Sequence, residues 1–228
     1  TKKILHLDIK PTNILIDNSG KAVITDFGLS KYLRTDDSVI QKKAYIPHVV
    51  PEMFSTEERT VLTDIYGVGL TLYRMVNGEE NFKEQYDEIS TSNSIDFKNI
   101  ILSGKFPDRK SYLPHVPQSI RKIINKALNI DPTKRYFNVL SLLNDLSKVN
   151  SFLEWKFIKT GNDYIWIYEN TNVIYTIRLF DNSGTVKLEG FKENILTNKR
   201  QRINKFFKEY DNLQNAFHDL SKILKEKP

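Results

Sequence analysis

Cysteine is absent from all 228 residues, so disulfides, thiolate nucleophiles and cysteine-based zinc sites are excluded together. No uninterrupted apolar run approaches the ~20 residues that a membrane-spanning helix requires, because charge breaks every hydrophobic stretch. A membrane partner is therefore not expected. With 9 glycines and 8 prolines the chain is neither fibrous nor low in complexity, and none of the glycines forms a G-x-G-x-x-G phosphate loop. A dominant sign of charge is missing too: 34 basic residues face 28 acidic ones, and the net +6 divides evenly between residues 1–150 and 151–228. Such a mixed, solvated surface gives no ground for a nucleic-acid partner. What remains, 39% hydrophobic and 11% aromatic content, is the composition of a globular chain with one domain and a smaller second one. The opening Thr1-Lys2-Lys3-Ile4-Leu5 shows no leader pattern and reads as a fragment.

The sharpest pattern lies in the first thirty residues. An acid, a cation and an amide stand at Asp8, Lys10 and Asn13. Two short, mainly apolar runs, residues 13–17 and 22–24, flank Asn18-Ser19-Gly20, a turn sequence that predicts a hairpin. Asp26-Phe27-Gly28 follows. The run His6-Leu7-Asp8-Ile9-Lys10-Pro11-Thr12-Asn13-Ile14-Leu15 resembles the catalytic loop of eukaryotic-type protein kinases, and Asp26-Phe27-Gly28 resembles their metal loop at the distance the family requires. Phosphoryl transfer consists mainly of positioning a nucleophile and neutralising charge on the moving group. The resemblance accordingly implies that Asp8 orients the acceptor hydroxyl and takes its proton, and that Lys10 stabilises the transferring phosphoryl group. It implies that Asn13 and Asp26, hard oxygen donors, hold Mg2+ and with it ATP. His6 is implied to be structural, packed beneath the metal loop.

Further along, Val50-Pro51-Glu52 resembles the end of the family's activation segment, which implies an ion pair from Glu52 to Arg135 in Asp131-Pro132-Thr133-Lys134-Arg135. Residues 64–78 carry small or apolar side chains at helical spacing with Gly78 placed as a C-cap, and they resemble the family's buried central helix, with Asp64 holding the catalytic-loop backbone. Two more core helices are predicted, around Ile120, Ile123, Ile124, Ala127 and Leu128, and around Val139, Leu142, Leu143 and Leu146. Ahead of both, in the region from Asn81 to Pro117, Ser90 to Ser94 and Phe106-Pro107 read as loops. Thr35 and Ser38, beside Asp36 and Asp37, read as an exposed polar loop rather than as modification sites.

Three features depart from the family pattern. Leu7 stands where an arginine usually pairs with an activation-segment phosphate. Lys43-Ala44-Tyr45-Ile46-Pro47-His48-Val49 replaces the usual Gly-Thr-Pro-x-Tyr stretch. The glycine-rich loop and the strand lysine of the ATP-binding lobe are missing altogether. An isolated chain of this kind is expected to bind ATP weakly and to turn over little.

Beyond residue 152, strand-like runs at 155–159, 164–168, 173–180 and 185–189 alternate with Gly/Asn/Asp turns and predict an antiparallel meander. A closing amphipathic helix is marked by Leu213, Phe217, Leu220 and Leu224, with Asp211 or Asn212 as N-cap. The basic and aromatic stretch 199–208 reads as a solvated loop leading into a core aromatic pair. The combined expectation is an α+β chain: a mainly helical protein-kinase C-terminal lobe over residues 1–150, then a small antiparallel-sheet-plus-helix domain over 151–228. It is expected to be a cytoplasmic serine/threonine kinase part, acting on a protein substrate together with an upstream N-terminal lobe. A pseudokinase or interaction scaffold stays open as the alternative.

Overall fold

The structure is a computed structural model that describes the chain except residues 1–2, 43–44, 92–93, 152, 183 and 226–227 and the side chains of 94 and 182. It is of mixed α+β class and divides into two compact units, one formed by Thr1–Tyr112 with Gln118–Val149 and the other by Leu113–Pro117 with Asn150–Pro228.

In the first unit the short strands are β1 (Ile4–Leu5), β2 (Ile14–Ile16), β3 (Ala22–Ile24), β4 (Lys31–Tyr32), β5 (Val39–Ile40) and β6 (Glu58–Arg59). They pair antiparallel as β1 with β4, β2 with β3 and β5 with β6. The predicted β2–β3 hairpin forms because Asp17 Oδ1 accepts from the N–H groups of Ser19 and Lys21 while Gly20 takes a φ of 80°.

Helix α1 (Val61–Asn77) is buried on nearly every face, with Ile65, Tyr66, Leu70 and Tyr73 all sealed from solvent, so it forms the centre of this unit. It begins three residues before the predicted start because Thr60 and Thr63 form a reciprocal capping box, and it ends at Gly78, whose φ of 82° favours glycine. Helices α2 (Glu79–Ser90) and α3 (Ser94–Leu102) follow, in a region where the sequence signalled only loops; residues 92 and 93 of the expected loop lie outside the described residues. Helix α4 (Gln118–Ala127) packs closely against α1, where Gly69 leaves room for Ala127 and Leu128. Helix α5 (Val139–Leu146) corrects the expectation of a core helix. Only Leu142 is buried, within a cluster formed by Ile65, Ile123, Ala127 and Tyr136, whereas Val139 and Leu143 are more than half exposed.

The second unit is an antiparallel sheet covered on one face by a helix. Strands β7 (Lys156–Thr160), β8 (Asp163–Glu169), β9 (Val173–Asn182) and β10 (Thr185–Asn194) form the predicted meander, the last two longer than predicted. The stretch read as a solvated loop instead contributes β11 (Arg200–Arg202) and β12 (Lys208–Tyr210), both paired with β10. Trp166, Tyr168, Ile177, Leu179, Val186 and Leu188 alternate into the core and meet Ala216 and Leu220 of α6 (Leu213–Ile223), which Asn212 caps by accepting from Asn215 N. Phe206 is buried in this core, close against Gly190, and Trp166 Nε1 donates to His115 Nδ1 at 2.9 Å.

Candidate active site

The backbone around Asp8 is held from below. Leu7 has a φ of 64°, a left-handed conformation costly for a branched side chain. It persists because Asp64, in the first turn of α1, accepts from His6 N and Leu7 N, both at 2.8 Å. Burial pushes the Asp64 carboxyl above its usual range, and the two N–H donors oppose that shift. His6 is buried; its Nδ1 accepts from Asp8 N at 3.3 Å, which leaves the Nε2 proton to donate to Thr25 O at 3.1 Å. Its ring meets Phe27 edge-on at 4.9 Å, the structural place predicted for it beneath residues 26–28.

On this support Asp8, Lys10 and Asn13 come together. Lys10 Nζ lies 2.8 Å from Asp8 Oδ2, and Asn13 Nδ2 donates to both Asp8 O and Asp8 Oδ2 at 2.9 Å. A short 3-10 turn over Pro11–Asn13 sets the amide, with proline supplying the fixed φ at its start. With both Nδ2 hydrogens directed at Asp8, the side-chain oxygen Oδ1 of Asn13 is left for another partner.

Asp26 is placed differently. The hairpin register pairs Ile14 with Ile24, and Thr25 N donates to Asn13 O at 2.8 Å, so Asn13 and Asp26 lie at the same open end of the hairpin. Asp26 is exposed, takes a φ of 61° and accepts from Gly28 N at 3.2 Å. Among the described residues it shares no hydrogen bond with Asp8, Lys10 or Asn13, and no group of three or more His, Asp or Glu is placed to hold a metal.

Several residues around Asp8 carried no sequence signal. His48 Nδ1 donates to Ile9 O at 3.0 Å while its Nε2 accepts from Arg74 NH1 at 2.7 Å, and Arg74 in turn grips Glu79 through two nitrogens. Thr71 Oγ1 donates to the same Ile9 carbonyl at 3.3 Å. Tyr45 lays its ring 4.5 Å from Lys10 Nζ. Ser38, expected in an exposed loop, is buried and donates to Asp36 Oδ1 at 2.7 Å in a tight side-chain turn.

The chain belongs to the protein kinase domain family, whose match covers residues 1–145. It is 35% identical over 139 residues to the serine/threonine-protein kinase PrkC of Bacillus subtilis, covering 59% of this chain and 20% of that protein. It is 32% identical over 144 residues to the mouse ribosomal protein S6 kinase alpha-3, covering 61% of this chain and 19% of that one. The chain thus spans about a fifth of the length of these relatives.

Proposed function

We propose that residues 1–150 form the C-terminal lobe of a serine/threonine protein kinase that moves the γ-phosphoryl group of ATP to a protein hydroxyl. Residues 151–228 would be an accessory domain. The observation that supports this best is the joint hold of Lys10 and Asn13 on one oxygen of Asp8, which leaves Oδ1 to face an acceptor hydroxyl. Asp8 would orient that hydroxyl and receive its proton, and Lys10 would offset charge on the transferring group. The free oxygens of Asn13 and Asp26 fit a hard cation that takes its other ligands from water and phosphate. Magnesium held there would neutralise part of the charge on the ATP phosphates.

An upstream lobe would complete the nucleotide site. Leu15, Ile16, Val23, Ile24 and Phe27 present an apolar surface at and beside the β2–β3 hairpin, each more than 40% exposed, which is the kind of face that another element covers. No helix among the described residues is long and apolar enough to cross a membrane. A cytoplasmic place of action belongs to the same proposal. One observation favours the alternative of a non-catalytic scaffold: the Tyr45 ring against Lys10.

The test is phosphate transfer from labelled ATP and magnesium by the complete protein, compared with its Asp8→Asn variant. Transfer that disappears in the variant supports the kinase, and no transfer by a folded, ATP-binding parent moves the assignment to the scaffold. The 228-residue chain on its own should bind ATP weakly and show little turnover.

A further inference from the structure

Arg59 ends β6 one residue before the α1 cap and is only 3% exposed. Its NH1 donates to two neutral carbonyls, Thr56 O at 2.7 Å and Glu58 O at 2.6 Å. Its Nε–H meets no acceptor among the described residues. The acids close enough to influence it are Glu52 and Glu57, and both are engaged elsewhere: Glu52 with Arg135 at 2.8 Å, Glu57 with Lys42 at 3.0 Å. A guanidinium does not discharge in a protein, so Arg59 is a buried cation without a counter-ion among these residues. Burial holds its pKa below the normal arginine range. Such a charge is costly until an anion reaches it.

Arg59 lines a cavity of about 30 Å³ together with Asp8, Gln41, Tyr45, His48 and Met53. The space suits about two water molecules or one carboxylate, and an aromatic ring does not fit. The two acids on the wall are already satisfied, Asp8 by Lys10 and Asn13 and Asp64 by the His6 and Leu7 amides. Asp8 and Arg59 therefore share one small cavity, and an extended peptide advances only ~3.3 Å per residue.

We infer that Arg59 selects acceptor polypeptides carrying an Asp or Glu side chain within one or two residues of the hydroxyl presented to Asp8. The inference rests on the kinase reading of Asp8 and adds the substrate class. The carboxylate enters the cavity, becomes the counter-ion of Arg59 and fixes the register of the acceptor chain, with Gln41 contributing a buried amide at the same wall.

The experiment measures, by fluorescence anisotropy, binding of labelled peptides with a single central serine to the 228-residue chain. Asp, Asn or Lys is placed in turn at each of the two positions on either side of the serine. At one or more positions the Asp peptide should bind about tenfold more tightly than the Asn peptide, and the Lys peptide more weakly still. Arg59→Gln should erase the difference between Asp and Asn, whereas Arg59→Lys, which keeps the charge, should retain part of it. Equal binding of the Asp and Asn peptides at every position, or no binding at all, overturns the inference, as does a preference that survives Arg59→Gln. Where Arg59→Gln melts below the assay temperature, the wild-type comparison and Arg59→Lys decide. Because the readout is binding, loss of the kinase reading in the Asp8→Asn assay leaves this result legible. Equal peptide binding by a chain whose complete form transfers phosphate removes the Arg59 assignment alone.

Discussion

Glu52 and Arg135 stand 83 positions apart and meet in a two-pronged ion pair, NH1 to Oε1 at 2.9 Å and NH2 to Oε2 at 2.8 Å. The arginine side chain is fully buried, donates also to Leu62 O and Asn129 O, and lies over the Tyr66 ring at 4.7 Å. Removing one partner strands the other charge in the core. Glu52→Gln or Arg135→Met should each lower the stability of the chain by about 3–5 kcal/mol in urea unfolding, and the double variant by less than the sum. Losses under ~1 kcal/mol would show that the pair is incidental.

His48 should make the first unit acid-sensitive. Its ring donates through Nδ1 and accepts through Nε2, which only the neutral form can do. Burial first, and the Arg74 charge second, push its pKa from 6.5 down to about 3. The unfolded chain therefore binds the proton more readily than the folded one between these values, and stability falls as pH drops from 6.5 toward 3. The contribution lost is on the order of 4 kcal/mol, at a slope of up to ~1.4 kcal/mol per pH unit. Urea unfolding at stepped pH should show this slope in the wild type and a flatter one in His48→Gln.

Gly69 tests the approach of α1 to α4. A Cβ there would sit 2.9 Å from Leu128 Cδ2 and 3.0 Å from Ala127 Cβ. Alanine ordinarily gains ~1 kcal/mol over glycine inside a helix, yet overpacking costs about 1–3 kcal/mol. Gly69→Ala should therefore destabilise the chain, and a higher melting temperature would mean that α4 yields freely.

Asn13→Ala removes both side-chain bonds to Asp8. In the complete protein we expect phosphate transfer to fall about 100-fold, because the Asp8 carboxylate loses its fixed aim. The melting transition of the 228-residue chain should move by only ~1–3 kcal/mol. A variant with near-normal transfer would assign the Asp8 orientation to Lys10 alone.

The elements legible in the sequence were those whose pattern is local. The β2–β3 hairpin followed from its turn residues, α1 and α4 from apolar spacing, and the grouping of Asp8, Lys10 and Asn13 from a fixed run of six positions. Helix α2 was not legible because Phe82 is its only buried side chain, and β11 was not because Arg200, Gln201 and Arg202 all face solvent and carry no alternation. His48, Arg59 and Arg74 were missed for a different reason. Polar residues are usually exposed, and their burial here depends on partners 26 or more positions away or on a cavity wall.

The carbonyl of Ile9, one residue past Asp8, accepts one hydrogen bond from His48 in the 41–50 stretch and another from Thr71 in α1. Loop, segment and central helix are thus pinned at one oxygen atom. A displacement of residues 45–50 that moves His48 would stretch this bond or carry Ile9 with it, which couples that segment to the backbone next to Asp8. The Ile9–Lys10 peptide group is the natural spectroscopic reporter of both.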